Sequence, residues 1–339
     1  MNLKKVFLFL TLFYFPAHAT SLELESTQGS QFKTYGLSSS GDFYKPSDEN
    51  DNTYDWNLAL DRAKTDLKAA TGETITDNTT DFSAGVGLEF PSHFRMGAAL
   101  SYSVTPEENL KNSGPSLSLG YTYNFREKPK IKKTTKSVNA TGDASDSKES
   151  QEADTAEDFF SPYLAVDLNF QSLDYVQTFE AKVQRRQGGP GNPLTGKNTI
   201  NQKSSQLTIK YKPARWVRLK ASYTKYSYSR SVSDFIQFLD THDLIGNASS
   251  GISSALSGFY DNSMAVGASF YPSSSWEFAF SRSISKVISD DSLSTTDKLI
   301  VYWDFAEAWR LGVGGYVSKS NTAGSEASTS TIISLGYEF

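Results

Sequence analysis

Apolar and polar residues alternate with a period of two along most of this chain, and this pattern restricts the fold more than any other feature. In residues 82–90 the apolar side chains are Phe82, Ala84, Val86, Leu88 and Phe90, and the residues between them are Ser, Gly or Glu. Because successive side chains of a β-strand point to opposite faces, each such segment predicts a strand with one apolar and one polar face. The pattern occurs in twelve segments: 54–63, 82–90, 94–104, 116–125, 162–171, 205–213, 215–226, 262–271, 275–285, 296–305, 308–318 and 329–339.

The length and composition of these segments favour a membrane barrel over a soluble β-sandwich. A tilted strand needs about 9–11 residues to cross an outer membrane, which is the length of these segments. Aromatic residues make up 13% of the chain, and many stand at segment ends, as Trp276 and Trp303 do. Outer-membrane barrels carry aromatic girdles at these positions. Short connections such as 91–93 alternate with long polar ones such as 172–204 and 230–261, which is also typical of barrels.

The first 19 residues have the three parts of a secretory signal peptide. Lys4 and Lys5 form a basic region, residues 6–15 are apolar except for one Thr, and Ala17 and Ala19 are small residues at the expected cleavage site. The apolar run is shorter than the roughly 20 residues that a transmembrane helix needs. We therefore expect export and cleavage after residue 19, which would change the formal net charge from −5 to −7.

The end of the chain carries the clearest family resemblance. Residues 333–339 read Ile-Ser-Leu-Gly-Tyr-Glu-Phe, an alternating run that finishes on Phe339. Together with the signal peptide and the alternating strands, this end resembles the insertion signal of bacterial outer-membrane porin-like β-barrels. The resemblance implies that Tyr337 and Phe339 are recognised by the barrel-assembly machinery. It also implies that the protein lies in the bacterial outer membrane, among outer-membrane lipid and lipopolysaccharide.

The strand count depends on the amino-terminal region. The segments within 54–339 predict an all-β, transmembrane antiparallel barrel of twelve strands, an even number as single-chain bacterial barrels require. Fourteen strands is the alternative, because 21–28 and 31–40 also alternate, although weakly. Only two residues separate these segments, which is short for an outer loop. We therefore expect 20–53 to be an irregular amino-terminal segment, either periplasmic or folded into the pore.

Residues 126–158 interrupt the alternating pattern. They contain no aromatic residue, begin with several lysines and end with several acidic residues. Such a polar segment cannot bury enough apolar surface to offset the entropy of ordering, so we expect a disordered charged linker. The preceding segment, 117–125, resembles the end of the chain, which places the linker in the periplasm. It is either a solvated loop or a tether for peptidoglycan or a periplasmic partner.

If the apolar faces contact lipid, the polar faces line the lumen. The expected pore-lining residues are charged: Glu89, Arg95, Asp167, Lys210, Lys212, Arg218, Lys220, Glu277, Lys298, Asp304 and Arg310, with Asp55, Asp61 and Glu338 on the same faces. These are seven acidic and seven basic groups. They predict either ion pairs that hold the barrel interior together or a transverse field across a water-filled constriction. The balanced count argues against strong charge selectivity, although the basic patch at 210–220 would favour anions.

The long connection 230–261 contains apolar residues at helical spacing, namely Phe235, Phe238 and Leu239. A short amphipathic helix there would pack on neighbouring loops, on the barrel mouth, or inward to narrow the pore. The pairs His242-Asp243 and Asp290-Asp291 resemble the arrangement of omptin-type surface proteases. That family has ten strands, however, and catalysis requires a geometry that spacing does not establish.

Composition excludes several classes of function. The chain has no Cys and only three His, which excludes thiolate chemistry and leaves little for a metal site. A formal net charge of −5 gives no reason to expect nucleic-acid binding. We therefore predict a passive outer-membrane pore for small hydrophilic solutes, without enzyme activity, cofactor or metal. The alternatives are a non-conducting structural or interaction barrel and, less favoured, an omptin-like hydrolase.

Overall fold

The computed structural model describes residues 18–29, 32–44, 52–68, 74–106, 109–125, 162–181, 194–235, 259–288, 291–306, 308–321 and 327–338. Most of these residues form an antiparallel β-sheet that closes on itself as a barrel. The strands are β1 (His18–Gly29), β2 (Phe32–Tyr44), β3 (Thr53–Lys68), β4 (Thr74–Glu89), β5 (Phe94–Thr105), β6 (Leu110–Asn124), β7 (Tyr163–Ala181), β8 (Leu194–Ala214), β9 (Val217–Tyr228), β10 (Tyr260–Ser273), β11 (Trp276–Val287), β12 (Leu293–Ala306), β13 (Trp309–Ser320) and β14 (Ser328–Glu338). No helix within the described ranges is long and apolar enough to cross a membrane.

The barrel has fourteen strands, so the expectation of twelve is wrong and the alternative of fourteen is correct. All twelve alternating segments are strands, β3 to β14, and the two additional strands occupy most of the segment 20–53 that we expected to be irregular. Their alternation is weak because outward positions such as Ser26 and Ser39 are polar. The pairing of β1 with both β14 and β2 supplies the hydrogen bonds that make these segments strands. A closed barrel leaves no strand edge unpaired.

Connections alternate between the two ends of the barrel. We call the end at which β14 finishes the base, and the opposite end the mouth. Strands at the mouth continue beyond the alternating segments. β7 and β8 stay paired from Tyr163↔Lys212 to Ala181↔Leu194, and the part of this pairing from Ser172↔Lys203 onward lies within the range 172–204 that we expected to be a loop. Most of the signal segment, the linker 126–158 and Phe339 lie outside the described residues.

A tight turn at the base shows how local sequence sets the register. Residues 91–93 join β4 to β5, and His93 has a φ of 62°, a left-handed conformation that closes the turn. The His93 amide donates a hydrogen bond to the Phe90 carbonyl at 2.8 Å, and the Phe90 amide donates to the Phe94 carbonyl at 2.9 Å. This turn fixes the pairing of Glu89 with Arg95 at the base of the lumen.

The outer face of the barrel is apolar and exposed. Large side chains such as Leu100, which is 64% exposed, point outward from nearly every strand. Monomeric soluble proteins rarely expose contiguous apolar patches larger than a few hundred Å². Near the base this face becomes aromatic: the Trp276 and Trp303 rings stack at 5.8 Å, and Trp309 contacts Tyr337 at 4.7 Å. The outer face therefore has the apolar band and aromatic girdle of a membrane barrel.

Candidate pore lumen

Alternation along the strands decides which side chains face the lumen. On β7 the side chains of Val166, Leu168 and Phe170 are exposed on the outer face, so Asp167 points inward. The register carries this assignment from strand to strand. All eleven expected pore-lining residues stand at inward positions, and Asp55, Asp61 and Glu338 do as well. Their role in conduction stays a prediction.

Four further acidic residues face the lumen. β1 contributes Glu23 and Glu25, β2 contributes Asp42, and β4 contributes Asp81. Sequence reasoning missed the first three because β1 and β2 were not assigned to the barrel. It missed the fourth because the alternating segment was started at residue 82, whereas β4 begins at Thr74. The four bring the seven expected acids to eleven, against seven bases, among the inward residues whose side chains the structure describes. The balanced charge count is therefore corrected to an excess of acid.

The inward charges are segregated by sign into two walls. The acidic wall consists of seven carboxylates on β1 to β4: Glu23, Glu25, Asp42, Asp55, Asp61, Asp81 and Glu89. The basic wall consists of four residues on β8 and β9: Lys210, Lys212, Arg218 and Lys220. At the described inward positions, the strands of the acidic wall carry no Lys or Arg and those of the basic wall carry no Asp or Glu. The middles of the two walls are six strands apart in a ring of fourteen, so the walls face each other across the lumen.

An ion-pair chain runs along the lumen between the two walls. The Asp167 carboxylate on β7 accepts a hydrogen bond from the Arg95 guanidinium at 2.8 Å and lies 3.0 Å from the Lys210 ammonium. Lys220 lies directly opposite Lys210 in the β8–β9 register. Like charges at directly opposite positions repel each other. Asp167 therefore offsets part of the charge of the basic wall.

A second cluster surrounds Arg310 on the far side of the lumen. Its guanidinium donates a hydrogen bond to the Glu277 carboxylate, lies 3.8 Å from the Asp304 carboxylate and lies 4.3 Å above the centre of the Tyr302 ring. Part of the lumen charge is therefore held in ion pairs, as one of the two interpretations expected. The same inner face also carries the segregated walls that the other interpretation required.

A trough on the inner surface joins the two walls. This polar cavity of about 440 Å³ extends from Asp55 on β3, past Arg95 and Asp167, to Lys210 and Lys220 on β8 and β9. Its floor contains Gly87, Gly97 and Gly120. A Cβ atom at Gly87 would collide with the Asp55 carboxylate, and one at Gly120 would collide with that of Asp167. The missing side chains therefore provide the space in which both carboxylates lie against the wall.

The mouth of the lumen holds a small apolar core. Val232, Phe235 and Phe259, at the two ends of the connection between β9 and β10, are buried together with Ile200, an inward residue of β8. The Phe259 ring centre lies 5.2 Å from that of Tyr175 and 5.6 Å from that of Tyr228. Both ends of this connection thus pack inside the mouth.

Polar contacts hold the first turn of the same connection. The Ser231 hydroxyl accepts a hydrogen bond from the Asp234 amide at 3.2 Å and so caps a single helical turn. The Asn198 side-chain amide donates to the Phe235 carbonyl at 3.1 Å, and Arg230 donates to the Asn198 side-chain oxygen. The Arg230 guanidinium lies 5.2 Å above the Phe235 ring. We expected a short amphipathic helix that also included Phe238 and Leu239, but these two residues lie outside the described part of the chain.

The candidate hydrolase residues are mostly not described. His242, Asp243 and Asp290 lie outside the described ranges, and Asp291 forms an ion pair with Lys286 at 2.7 Å. Within the described ranges, no group of three or more His, Asp or Glu side chains is arranged to hold a metal ion.

The closed barrel, its apolar outer face and its charged inner face define a porin-like β-barrel of the outer-membrane type. No protein-family model matches the chain, and no curated protein matches it significantly.

Among solved structures, the chain is similar to a KdgM porin in complex with disordered oligogalacturonate, at 7% identity over 94% of this chain and 99% of the other, with a TM-score of 0.37. It is similar to the NanC porin at 8% identity over 95% and 100%, with a TM-score of 0.36. It is similar to the Pseudomonas putida toluene transporter TodX at 10% identity over 96% and 90%, with a TM-score of 0.46. At these values the similarity carries no argument about the solute.

Proposed function

We propose that this protein is an outer-membrane pore for the passive diffusion of small hydrophilic solutes. The charged and polar inner face of a closed barrel is the observation that carries the proposal. An interior that only filled space would be expected to pair its charges, because unpaired charge in a dry interior is costly. At the described inward positions, none of the seven carboxylates of the acidic wall shares its strand with a Lys or Arg, and only Glu89 stands opposite one, Arg95 on β5. We therefore infer that water fills this part of the lumen.

The proposal includes an orientation and a set of partners. The base faces the periplasm, so the linker between β6 and β7 is periplasmic and is the place where a periplasmic partner would bind. The outer face contacts outer-membrane lipid and lipopolysaccharide, and Tyr337 with Phe339 forms the signal for the barrel-assembly machinery. The protein has no enzyme activity, cofactor or metal in this proposal. Protease added to intact cells should leave the linker 126–158 uncut.

Conductance of the purified full-length protein in a planar lipid bilayer tests the pore directly. We expect stepwise current increases as barrels insert. The excess of acidic over basic groups at the described inward positions predicts a zero-current potential of the sign for cation preference in a salt gradient. A sample that resists SDS until it is boiled, and is therefore folded, but gives no current steps would contradict the proposal.

The apolar core at the mouth favours a second candidate, a non-conducting structural or interaction barrel. Phe235 and Phe259 pack inside the mouth, so the two described ends of the connection between β9 and β10 narrow the entrance. If the narrowing is complete, the wild-type protein should be silent in bilayers, and the Phe259→Ala variant should conduct. If it is partial, both proteins should conduct.

Peptide hydrolysis that is lost in the His242→Ala variant would instead favour the hydrolase.

A further inference from the structure

We propose that one sector of the outer face, formed by β2 to β6, is a binding site for lipid A, the phosphorylated and acylated anchor of lipopolysaccharide. This inference rests on the orientation proposed above, in which the mouth of the barrel lies at the outer leaflet of the membrane. It goes beyond general contact with lipid, because it assigns the phosphates and an acyl chain of one molecule to particular side chains.

The first part of the site is a cluster of basic residues at the mouth end of this sector. We call it the basic edge; it consists of Lys33 on β2, Arg62 and Lys64 on β3, and Lys111 on β6, all of them exposed. Alternation along the strands places these residues on the outer face. Arg62, for example, stands opposite Tyr35, which is 56% exposed on that face.

The basic edge lacks the acid that would balance it. Among the outward residues of β2 to β6 whose side chains the structure describes, the one acid is Asp66, which lies 3.3 Å from the Lys64 ammonium. Lys33 stands directly opposite Lys64 in the register, where like charges repel each other. Within the described part of the chain, Lys33, Arg62 and Lys111 form no ion pair. Four bases less one acid leave a net charge of +3 on this edge.

The sector of β9 to β12, on the opposite side of the barrel, does not share this excess. On its outer face, Lys225, Arg282 and Lys286 each form an ion pair with a carboxylate. Basic side chains near a membrane surface attract anionic lipid headgroups. The unpaired bases therefore favour β2 to β6 over that sector as the place where a phosphorylated lipid binds.

The second part of the site is an apolar hollow below the basic edge, with a volume of about 630 Å³. Two alanines form its floor: Ala84 stands beside Leu100 in the register, and Ala98 stands beside Leu117. The two leucines are 64% and 59% exposed, so their side chains extend beyond the alanine methyl groups. A hydrocarbon chain that fills this hollow gains dispersion contacts that a smooth surface would not offer.

The depth of the hollow suits an acyl chain that hangs from the basic edge. On β3, Leu58 at the rim of the hollow is four residues below Arg62, and on β6, Pro115 is four residues below Lys111. At about 3.3 Å per residue, the hollow therefore lies about 13 Å from the basic edge along each strand. This distance is about half of the roughly 25 Å apolar band of such barrels, so the chain stays within one leaflet.

The width of the basic edge suits the headgroup of lipid A. Arg62 and Lys111 belong to one row across the sheet, joined through Thr80 and Val104. Three strand spacings of about 4.8 Å separate them by about 14 Å. This span is close to the length of a disaccharide with a phosphate at each end. Arg62, helped by Lys33, binds one phosphate and Lys111 binds the other, whereas the single phosphate of a phospholipid reaches only one end.

Binding of defined lipids to the folded full-length protein in detergent micelles tests the inference. Native mass spectrometry would compare diphosphoryl lipid A, monophosphoryl lipid A and phosphatidylglycerol, in EDTA so that divalent cations do not bridge the phosphates. We expect the diphosphoryl form to bind most tightly and phosphatidylglycerol most weakly. Arg62→Gln and Lys111→Gln should each weaken the binding of diphosphoryl lipid A roughly fivefold, the usual contribution of one base near an anionic surface.

Matched variants separate the two parts of the site. Ala84→Trp fills the hollow and should weaken lipid A binding at least as much as the loss of one base does. Ala268→Trp is the same substitution on the outer face of β10 and should leave the affinity unchanged. Lys225→Gln removes a base that is paired with Asp261, and it should also leave the affinity unchanged. Resistance to SDS before boiling would show that each variant is folded.

The outcomes distinguish this inference from the pore itself. Equal affinity for the three lipids, or equal effects of Arg62→Gln and Lys225→Gln, would overturn the inference and leave the pore standing. An unchanged affinity in Ala84→Trp would also overturn it. Selective binding of diphosphoryl lipid A by a folded protein that gives no current steps would instead support the lipid site and overturn the pore.

Discussion

Replacement of Phe259 by Ala should release the connection between β9 and β10 from the mouth of the barrel. Phe259 is 2% exposed, and its ring lies within 6 Å of the ring centres of Tyr175, Tyr228 and Phe235. Truncation of a buried Phe to Ala costs about 3–5 kcal/mol. The fourteen-strand sheet does not depend on this ring, so the cost should fall on local opening of the mouth rather than on global unfolding.

The expected size of the effect follows from that free energy. About 1.4 kcal/mol is a tenfold change in an equilibrium constant. The population of the opened state should therefore be roughly a hundredfold or more higher in the variant than in the wild-type protein. Trypsin reports this state, because Arg230 is held by Asn198 and the Phe235 ring while the mouth is closed. Cleavage after Arg230 in the folded barrel should become much faster, and single-channel conductance should rise.

The matched control for this experiment is Phe280→Ala. Phe280 is on the outer face of β11 and is 46% exposed, so its removal leaves the mouth core intact. The reasoning would be refuted if Phe259→Ala and Phe280→Ala gave the same cleavage rate after Arg230 and the same conductance.

Three further predictions test the lumen and the barrel wall. Asp167→Asn should shift the zero-current potential in a salt gradient toward anion preference, because it removes the carboxylate that lies between two cations. It should lower the free energy of unfolding by only about 0.5–2 kcal/mol, since both ion pairs are partly exposed. An unchanged potential would contradict the assignment of Asp167 to the pore lining. Leu299→Arg places a charge on the lipid face and should cost about 2–4 kcal/mol in a urea titration of folding into vesicles, whereas Ser283→Arg on the inner face should cost much less. Equal costs would contradict the assignment of the two faces. Gly114→Ala should lower the free energy of unfolding by about 1–3 kcal/mol in the same titration, because the added methyl group meets the Ser172 carbonyl oxygen. An unchanged free energy would show that β6 and β7 separate easily at this point.

The alternating pattern was sufficient to identify the barrel and most of its inner face. In segments such as 94–104 and 275–285 the side-chain period is a local property, and a residue such as Arg95 or Glu277 must face away from its apolar neighbours. The sequence therefore identified twelve strands and the inward charges on them without knowledge of their partners.

The strand number and the opposed walls were decided by tertiary structure alone. β1 and β2 alternate weakly, and their strand structure is set by their partners, because β1 pairs along its length with β14 and β2 pairs with β3. This pairing belongs to the closed sheet and to no single segment. The acidic excess from Glu23, Glu25 and Asp42 depends on the same closure. Likewise, Asp55 and Lys220 lie far apart in the chain, and only the order of strands around the ring brings them to the two ends of one trough.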